Sequence, residues 1–323
     1  MQIRPYQPED DPLLMQLERQ CPRGFPNPFV HFRRRFIARA ELYKESLTLV
    51  ALDQGQIVGV SSIVLKDTFI GGIPVKVAYT FDSRVAPTHR RRGIGHTLVN
   101  EKLKWAVQRG AVGAYSLIIA TNQASLGMVA KSGYKKVRLI LYLEYTPYPI
   151  LETPLYNAEF TDSPADHDLV DATFYPRDLY VPYVVDRVRD YDYQRWSIRD
   201  EQDNYAALSV YNQSHVFMQI SADDPYPKTE AEINRLGRNL QIFDEVGMHN
   251  GKLMHALFQW LRDDAIVSNV NRLTWLVDRN DPVPHFILAD ASEQKDYWLL
   301  FKSFHDGWEP NWSERVYLDP RDL

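Results

Sequence analysis

Residues 85–96 read VAPTHRRRGIGH. Three arginines, Arg90, Arg91 and Arg92, run into Gly93 and Gly95, which straddle Ile94. Like charges repel, and each glycine costs about 1 kcal/mol relative to alanine inside a helix. The segment follows a strand-like run, VKVAYTF (75–81). It precedes a helical stretch from about Thr97 to Arg109, with Ile94, Leu98, Val99 and Ala106 on one face and Gly110 as its stop. A loop at a helix N-terminus presents unpaired N–H groups and the positive end of the dipole, which suits an anion. The glycines remove Cβ atoms that would block approach and permit positive φ. The arginines add forked donors matched to phosphate. The segment therefore predicts a grip on a phosphate-bearing ligand. Two common phosphate loops fail on residue identity: no G-x-x-x-x-G-K-[ST] run exists, and Leu98 stands where the third glycine of G-x-G-x-x-G belongs.

Outward from this loop, residues 1–146 alternate strand and helix signals. Met1–Tyr6 predicts a short strand, and PEDDP (8–12) opens a helix with acids at its favourable end. FVHFRRRFIARAELY (29–43) predicts a second helix, because Phe29, Phe32, Phe36, Ile37 and Ala40 recur at helical spacing; Arg33, Arg34 and Arg35 then fall on its solvated side. LTLVAL (47–52), QIVGVSSIVL (56–65) and VKVAYTF follow as strands, the last two joined by a Gly71-Gly72 turn. YSLIIAT (115–121) reads as a central strand, 123–132 as a helix and KKVRLILYLEY (135–145) as a closing strand.

Four prolines between Thr146 and Asp166 mark a boundary. Beyond it, helical DLVDATFYP and VPYVVDRVRDY lead to strand-like QRWSI, YAALSVY, HVFMQI and LQIFDEV, then helical LMHALFQWLRDDA and strand-like RLTWLVD. The order repeats the first half. Asp82 to Asn122 spans 41 residues and Asp244 to Asn280 spans 37. The shortfall lies in the loop, where APTHRRRGIGH has only GMHNGK as counterpart. The expected organisation is a first domain over 1–148, a linker over 149–165 and a degenerate second copy over 166–323, an α/β (or α+β) architecture.

The length of 323 residues suits two domains at roughly 150 residues each. Hydrophobic content of 45% and charged content of 24% fit a globular chain, and a net charge of -5 argues against nucleic acid as a partner. A lone cysteine, Cys21, excludes an internal disulfide framework and fits a reducing compartment. MQIRPYQPEDD has acids where a signal peptide has an apolar core, and no apolar run nears the roughly 20 residues that cross a bilayer. The expectation is a cytosolic protein without a membrane partner. The nine histidines form no HExxH, so no metal is expected, and no G-x-S-x-G elbow occurs. Cys21 lies in a turn-like loop with no adjacent base.

Arg90-Arg91-Arg92-Gly93-Ile94-Gly95 resembles the [Q/R]-x-x-G-x-[G/A] motif of the GNAT superfamily of acetyltransferases. Asn122, Ser125, Met128, Gly133 and Tyr134 fall at the spacing of that family's N-x-x-A-x-x-[LF]-Y-x-x-x-G-[FY] element. The resemblance covers about Val75 to Tyr145 and extends weakly to residue 1; the chain is also similar to plant hookless-type acetyltransferase-like proteins. It implies a mixed, mostly antiparallel sheet flanked by helices, in tandem, and acetyl-CoA as co-substrate. It further implies that Arg90, Arg91, Arg92, Gly93, Ile94, Gly95 and His96 hold the pyrophosphate, that Ser83, Arg84 and Val85 pair with the pantetheine arm as a substitute strand, and that Asn122 and Ser125 flank the cofactor. The acceptor would be a small-molecule amine or an amino-acid-like compound, whose primary amine attacks the thioester directly. The second copy would cover the acceptor side or form a homodimer surface.

Two positions depart from the family. Val129 stands where a tyrosine often protonates the thiolate, and Phe81 where a glutamate often serves as base. Asp82 is then the catalytic candidate, although a strand-end hydrogen bond is favoured for it over catalysis. These departures leave open a catalytically inactive acyl-CoA-binding module with a partner-binding second domain. Asn122 could equally cap the following helix. Tyr79 and Tyr115 read most simply as core aromatics with wet hydroxyls.

Overall fold

A computed structural model describes residues 1–24, 27–147, 157–175 and 177–322. The expected linker 149–165 begins inside 148–156, which lies outside the described residues. The first half holds β1 (Gln2–Pro5), α1 (Asp11–Arg19), β2 (Phe29–Phe32), a 3-10 segment (Phe36–Leu42), β3 (Glu45–Asp53), β4 (Gln56–Ile70), β5 (Ile73–Val85), α2 (Ile94–Gln108), β6 (Gly113–Ile119), α3 (Gln123–Lys131) and β7 (Lys135–Tyr145). The second holds β8 (Glu159–Phe160), α4 (Pro164–Phe174), β9 (Gln194–Arg199), β10 (Tyr205–Asn212), β11 (Met218–Ser221), α5 (Glu230–Arg235), β12 (Arg238–Val246), α6 (Gly251–Val267), β13 (Val270–Asp278), α7 (His285–Ala289) and β14 (Glu293–Ser303). Among the described residues, no helix is long and apolar enough to cross a membrane.

Among those residues twelve strands form one sheet, in the order β1-β3-β4-β5-β6-β14-β7-β13-β12-β10-β9-β8, while β2 and β11 make a separate ribbon. Pairing is antiparallel except at β5–β6 and β12–β13, which stand at corresponding places in the two halves. β14 pairs with β6 on one side and β7 on the other, so the first half is completed by a strand nearly 150 residues downstream of its own last one. β7 reciprocates by pairing with β13. The strand expected to close the first sheet is thus interior. Its alternation of half-buried and buried residues suited either place, and only the non-local partners decide it.

The two halves also share an irregularity. Asp82 and Asp244 both have φ of 50°, and in each case the register against the neighbouring strand slips there. Such bulges re-aim a strand at its functional end. Apolar side chains of both halves merge around Tyr79, Tyr115, Leu276, Leu299 and Val316 into one core.

The helix expected over 29–43 does not form. Phe29–Phe32 pairs instead with β11, residue for residue from Phe29↔Ser221 to Phe32↔Met218, and a 3-10 turn carries Phe36 and Ala40 into the core. A distant strand partner outcompeted a weak helical period. The stretch 181–191 likewise yields only a 3-10 turn, Val184–Arg187.

Gly113 tests the coupling of the halves, since a Cβ there would fall 2.2 Å from Phe301 Cζ and 2.7 Å from the Lys302 carbonyl oxygen. Gly113→Val is expected to lose about 2–3 kcal/mol in urea titration. Both halves are expected to unfold in one shifted transition; two separate transitions with only one moved would refute the coupling.

Candidate active site

β5 and β6 pair only from Val77↔Gly113 to Tyr79↔Tyr115, and beyond that point they part. The Ser116 hydroxyl donates to the Thr80 carbonyl at 3.0 Å at the apex of the split. From there to Val85 the edge of β5 that faces β6 has, among the described residues, no strand beside it. The chain then makes a 3-10 turn at Pro87–His89, passes through Arg91 at φ 62°, and enters α2 through Gly93 at φ 81°. Among the described residues no side chain caps α2; the Thr97 amide is the first to close a helical bond, to the Gly93 carbonyl at 3.0 Å. The amides before it point outward at an exposed turn.

Each loop residue has a distinct place. A Cβ on Gly93 would meet nothing within 4 Å, so its φ is what requires glycine there. At Gly95 space is tight: a Cβ would lie 3.0 Å from Met128 Sδ, where α2 nears α3. Ile94 turns its side chain into the core. Arg91 and Arg92 are exposed, while Arg90 folds back to donate to the Val85 carbonyl at 3.2 Å. His96 is exposed and bonds Asn100 at 3.0 Å. Asn122 accepts from the Ser125 amide at 3.1 Å, so its cap role is realised, on the far side of the split. Ser83 Oγ bonds Ser61 Oγ at 2.7 Å.

Arg84 and Asp82 point elsewhere. Asp82 accepts two bonds from Arg33, at 2.6 and 2.8 Å, and one from Arg84 at 3.1 Å. Arg84 also donates to buried Glu18 at 2.7 Å, and Arg23 stands 3.6 Å from Asp82. Arg33 is therefore not on a solvated face; it is 3% exposed and anchors the bulge. So placed, Asp82 has its lone pairs committed to guanidinium donors and is a poor candidate for taking a proton. Val129 and Phe81 are both buried among apolar neighbours.

A second charged cluster lies beneath the apex. Lys66 pairs with Asp319 at 2.6 Å and Asp322 at 3.0 Å, and the hydroxyls of Tyr43, Tyr79 and Tyr115 all bond Asp322. The hydroxyls expected to be wet are therefore dry. Burial pushes the Asp322 carboxyl up. Against the same burial, Arg321 and Lys66 hold Asp319 well below the usual carboxylate range. Nothing local in the sequence linked residues 319–322 to β4, β5 and β6. A cavity of about 380 Å³ opens beside the cluster, lined by Tyr43, Lys66, Lys76, Tyr183, Arg187 and Arg321.

The corresponding gap in the second half is filled. β12 pairs with β13 only as far as Ile242↔Trp275, and Tyr317 then bonds Asp244 at 2.7 Å. The remaining cavity is about 10 Å³, room for about one water. At the head of α6, Asn250 caps the helix by accepting from Leu253 at 3.4 Å.

Residues 12–134 match the model of the acetyltransferase (GNAT) family. This part of the chain is a GNAT acetyltransferase domain. Over 112 residues the chain is 36% identical to acetyl transferase GW6a of Oryza sativa subsp. japonica, and over 120 residues 34% identical to a probable N-acetyltransferase HLS1-like of Arabidopsis thaliana. Each match takes in 32% of this chain and 27% of the relative, so the chain spans about a quarter of the length of the curated relatives it matches. Two solved structures resemble nearly the whole fold. A tandem GNAT protein from the clavulanic acid biosynthesis pathway has a TM-score of 0.55 at 12% identity, covering 93% of this chain and 97% of that one. Saccharomyces cerevisiae N-myristoyltransferase with bound myristoyl-CoA has a TM-score of 0.60 at 9% identity, covering 98% and 87%. The mixed, mostly antiparallel sheet flanked by helices is thus the expected one. The GNAT domain's exposed amides and open β5 edge fit a diphosphate and an extended arm. Among the described residues no group of three His, Cys, Asp or Glu converges as a metal site would.

Two measurements probe the charged clusters. Arg33→Met strips Asp82 of its bidentate partner and is expected to destabilise the fold by about 3–5 kcal/mol in chemical denaturation. Glu245, beside the filled gap, is pushed up to about 8 by burial and by Asp281. Between its unfolded value and that one, the folded state holds the extra proton, so stability falls as pH rises from about 5 to 8. The loss is on the order of 3 kcal/mol, and Glu245→Gln is expected to flatten it in a series of melts across that range.

Proposed function

We propose that the chain is an acyl-CoA-dependent N-acyltransferase that moves an acetyl group to the primary amine of a small acceptor by direct attack. One observation carries the reading: an uncapped, exposed helix N-terminus adjoins an unpaired strand edge. On this reading the amides of Arg91 to His96 bind the diphosphate, with Arg91 and Arg92 adding charge. The backbone of Ser83 to Val85 pairs with the pantetheine arm as a neighbouring strand would. Asn122 and Ser125 border the arm from α3. The thioester supplies an activated carbonyl, and placement of the amine against it is the main contribution asked of the protein. The cavity beside Lys66 and Tyr43 supports acceptor entry from the opposite face, at a volume suited to a small molecule.

We further propose that 1–148 and 166–323 are duplicated units joined by 149–165, of which only the first binds cofactor. The paired bulges at Asp82 and Asp244 support duplication; the Asn250 cap and the filled second gap support a single site. A second reading, binding of acyl-CoA without transfer, draws on the apolar Val129 and Phe81.

Calorimetry with coenzyme A is expected to give one site per chain. Gly93→Val and Gly95→Val are expected to weaken it at least tenfold, and Asn250→Gly to leave it unchanged. No heat at millimolar ligand would overturn the cofactor reading. Thiol release across a panel of amines separates the two alternatives, since binding with no turnover favours the module.

A further inference from the structure

Thiolate departure needs a proton, and the residues so far described offer none. Val129 is apolar, Asp82 is committed to arginines, and Tyr79 and Tyr115 are bonded to Asp322. One buried group on the α2 side of the sheet is unclaimed. Lys102 is 1% exposed on α2 and donates to Ser61 Oγ at 2.6 Å and to the Ser62 carbonyl at 3.3 Å. Ser61 Oγ lies 2.7 Å from Ser83 Oγ, and Lys102 Nζ itself is 3.4 Å from Ser83. Ser83 is exposed, on the stretch of β5 that has parted from β6. A chain of donors therefore runs from a buried amine to the floor of the split.

Among the described residues no carboxylate pairs with Lys102. An unpaired buried lysine is rare, because burial costs its charge several kcal/mol of hydration. A structural role would be met as well by methionine, and the serine pair would remain bonded to itself without the amine.

We propose that the Ser83 hydroxyl protonates the departing thiolate and that Lys102, as the positioning residue behind it, replaces that proton through Ser61. This rests on the acyl-transfer reading above. As the C–S bond of the tetrahedral adduct breaks, its electron pair goes to sulfur, which takes the Ser83 proton. Ser83 takes one from Ser61, and Ser61 one from the Lys102 ammonium, which becomes an amine. The proton shed by the attacking amine leaves to solvent on the acceptor side. Lys102 regains one from solvent through exposed Ser83. Burial brings the Lys102 ammonium down to about 7, with Asp82 on β5 the charged group that opposes the shift. From β4, Ser61 Oγ and the Ser62 carbonyl accept from it. Such an acid gives up its proton readily at neutral pH.

The test uses the full chain with acetyl-CoA. Lys102→Met and Ser83→Ala are each expected to lower kcat about 100-fold, with coenzyme A affinity kept within threefold by calorimetry. The wild type's fall in kcat above about pH 7 is expected to vanish in Lys102→Met, and Lys102→Arg, which keeps charge but gives up no proton, to restore nothing. Apart from turnover, carbon NMR of lysine-labelled protein is expected to show the Lys102 side chain titrating near neutral pH. A Lys102 still charged at pH 10, or a Lys102→Met variant within threefold of wild-type kcat, overturns the relay and leaves acyl transfer standing. Failure of the wild type to bind coenzyme A, or binding with no thiol release, overturns both.

Discussion

The hydrogen-bonded contact of β14 with both β6 and β7 is the constraint on which the molecule rests. Remove that strand and the first half loses its core neighbours Leu299 and Phe301, while β7 loses one of its two partners. β14 holds β6 over its whole length from Gly113 to Ile119, so β6 stays in the sheet beyond Tyr115, where it has parted from β5. A strand so satisfied on one side can leave the other open, and an open edge inside a large sheet invites an extended ligand.

On the proposed duplication, the two halves use a shared plan asymmetrically. Both halves carry the bulge and the divergent parallel pair. In one, glycine opens the helix end and the gap stays clear; in the other, asparagine closes the helix end and Tyr317 occupies the gap. Charge is handled differently too. Around Asp82 three arginines surround two acids, whereas Glu245 is buried beside two other carboxyls, Asp281 and Asp244, and one arginine, Arg177. Buried pairs of the first kind resist disruption, since removing either partner strands a charge.

The loop at 85–96 was legible because its chemistry is local. Glycine at a required φ, apolar spacing along α2, and the Gly71-Gly72 turn all act within a few residues. Phe81-Asp82 and Phe243-Asp244, each near the end of a strand-like run in the sequence, fall at the two bulges. What failed to show was set by partners far along the chain. Arg33 looked solvated because Asp82 is 49 residues away. Phe29–Phe32 looked helical because its partner strand begins at Met218. Lys102 passed as one more polar residue on a helix, since nothing in the sequence says which face Ser61 and Ser83 would meet.

The exchanged strand also governs the order of events on the ribosome. When residue 145 has been made, every other strand of the first half exists, yet β6 and β7 still have no strand to fill the place between them. More than 150 further residues must emerge before Ser303 seals that seam. Throughout that interval the nascent chain carries a bare ladder of amides and carbonyls, a surface for chaperones to guard and for neighbouring nascent chains to capture.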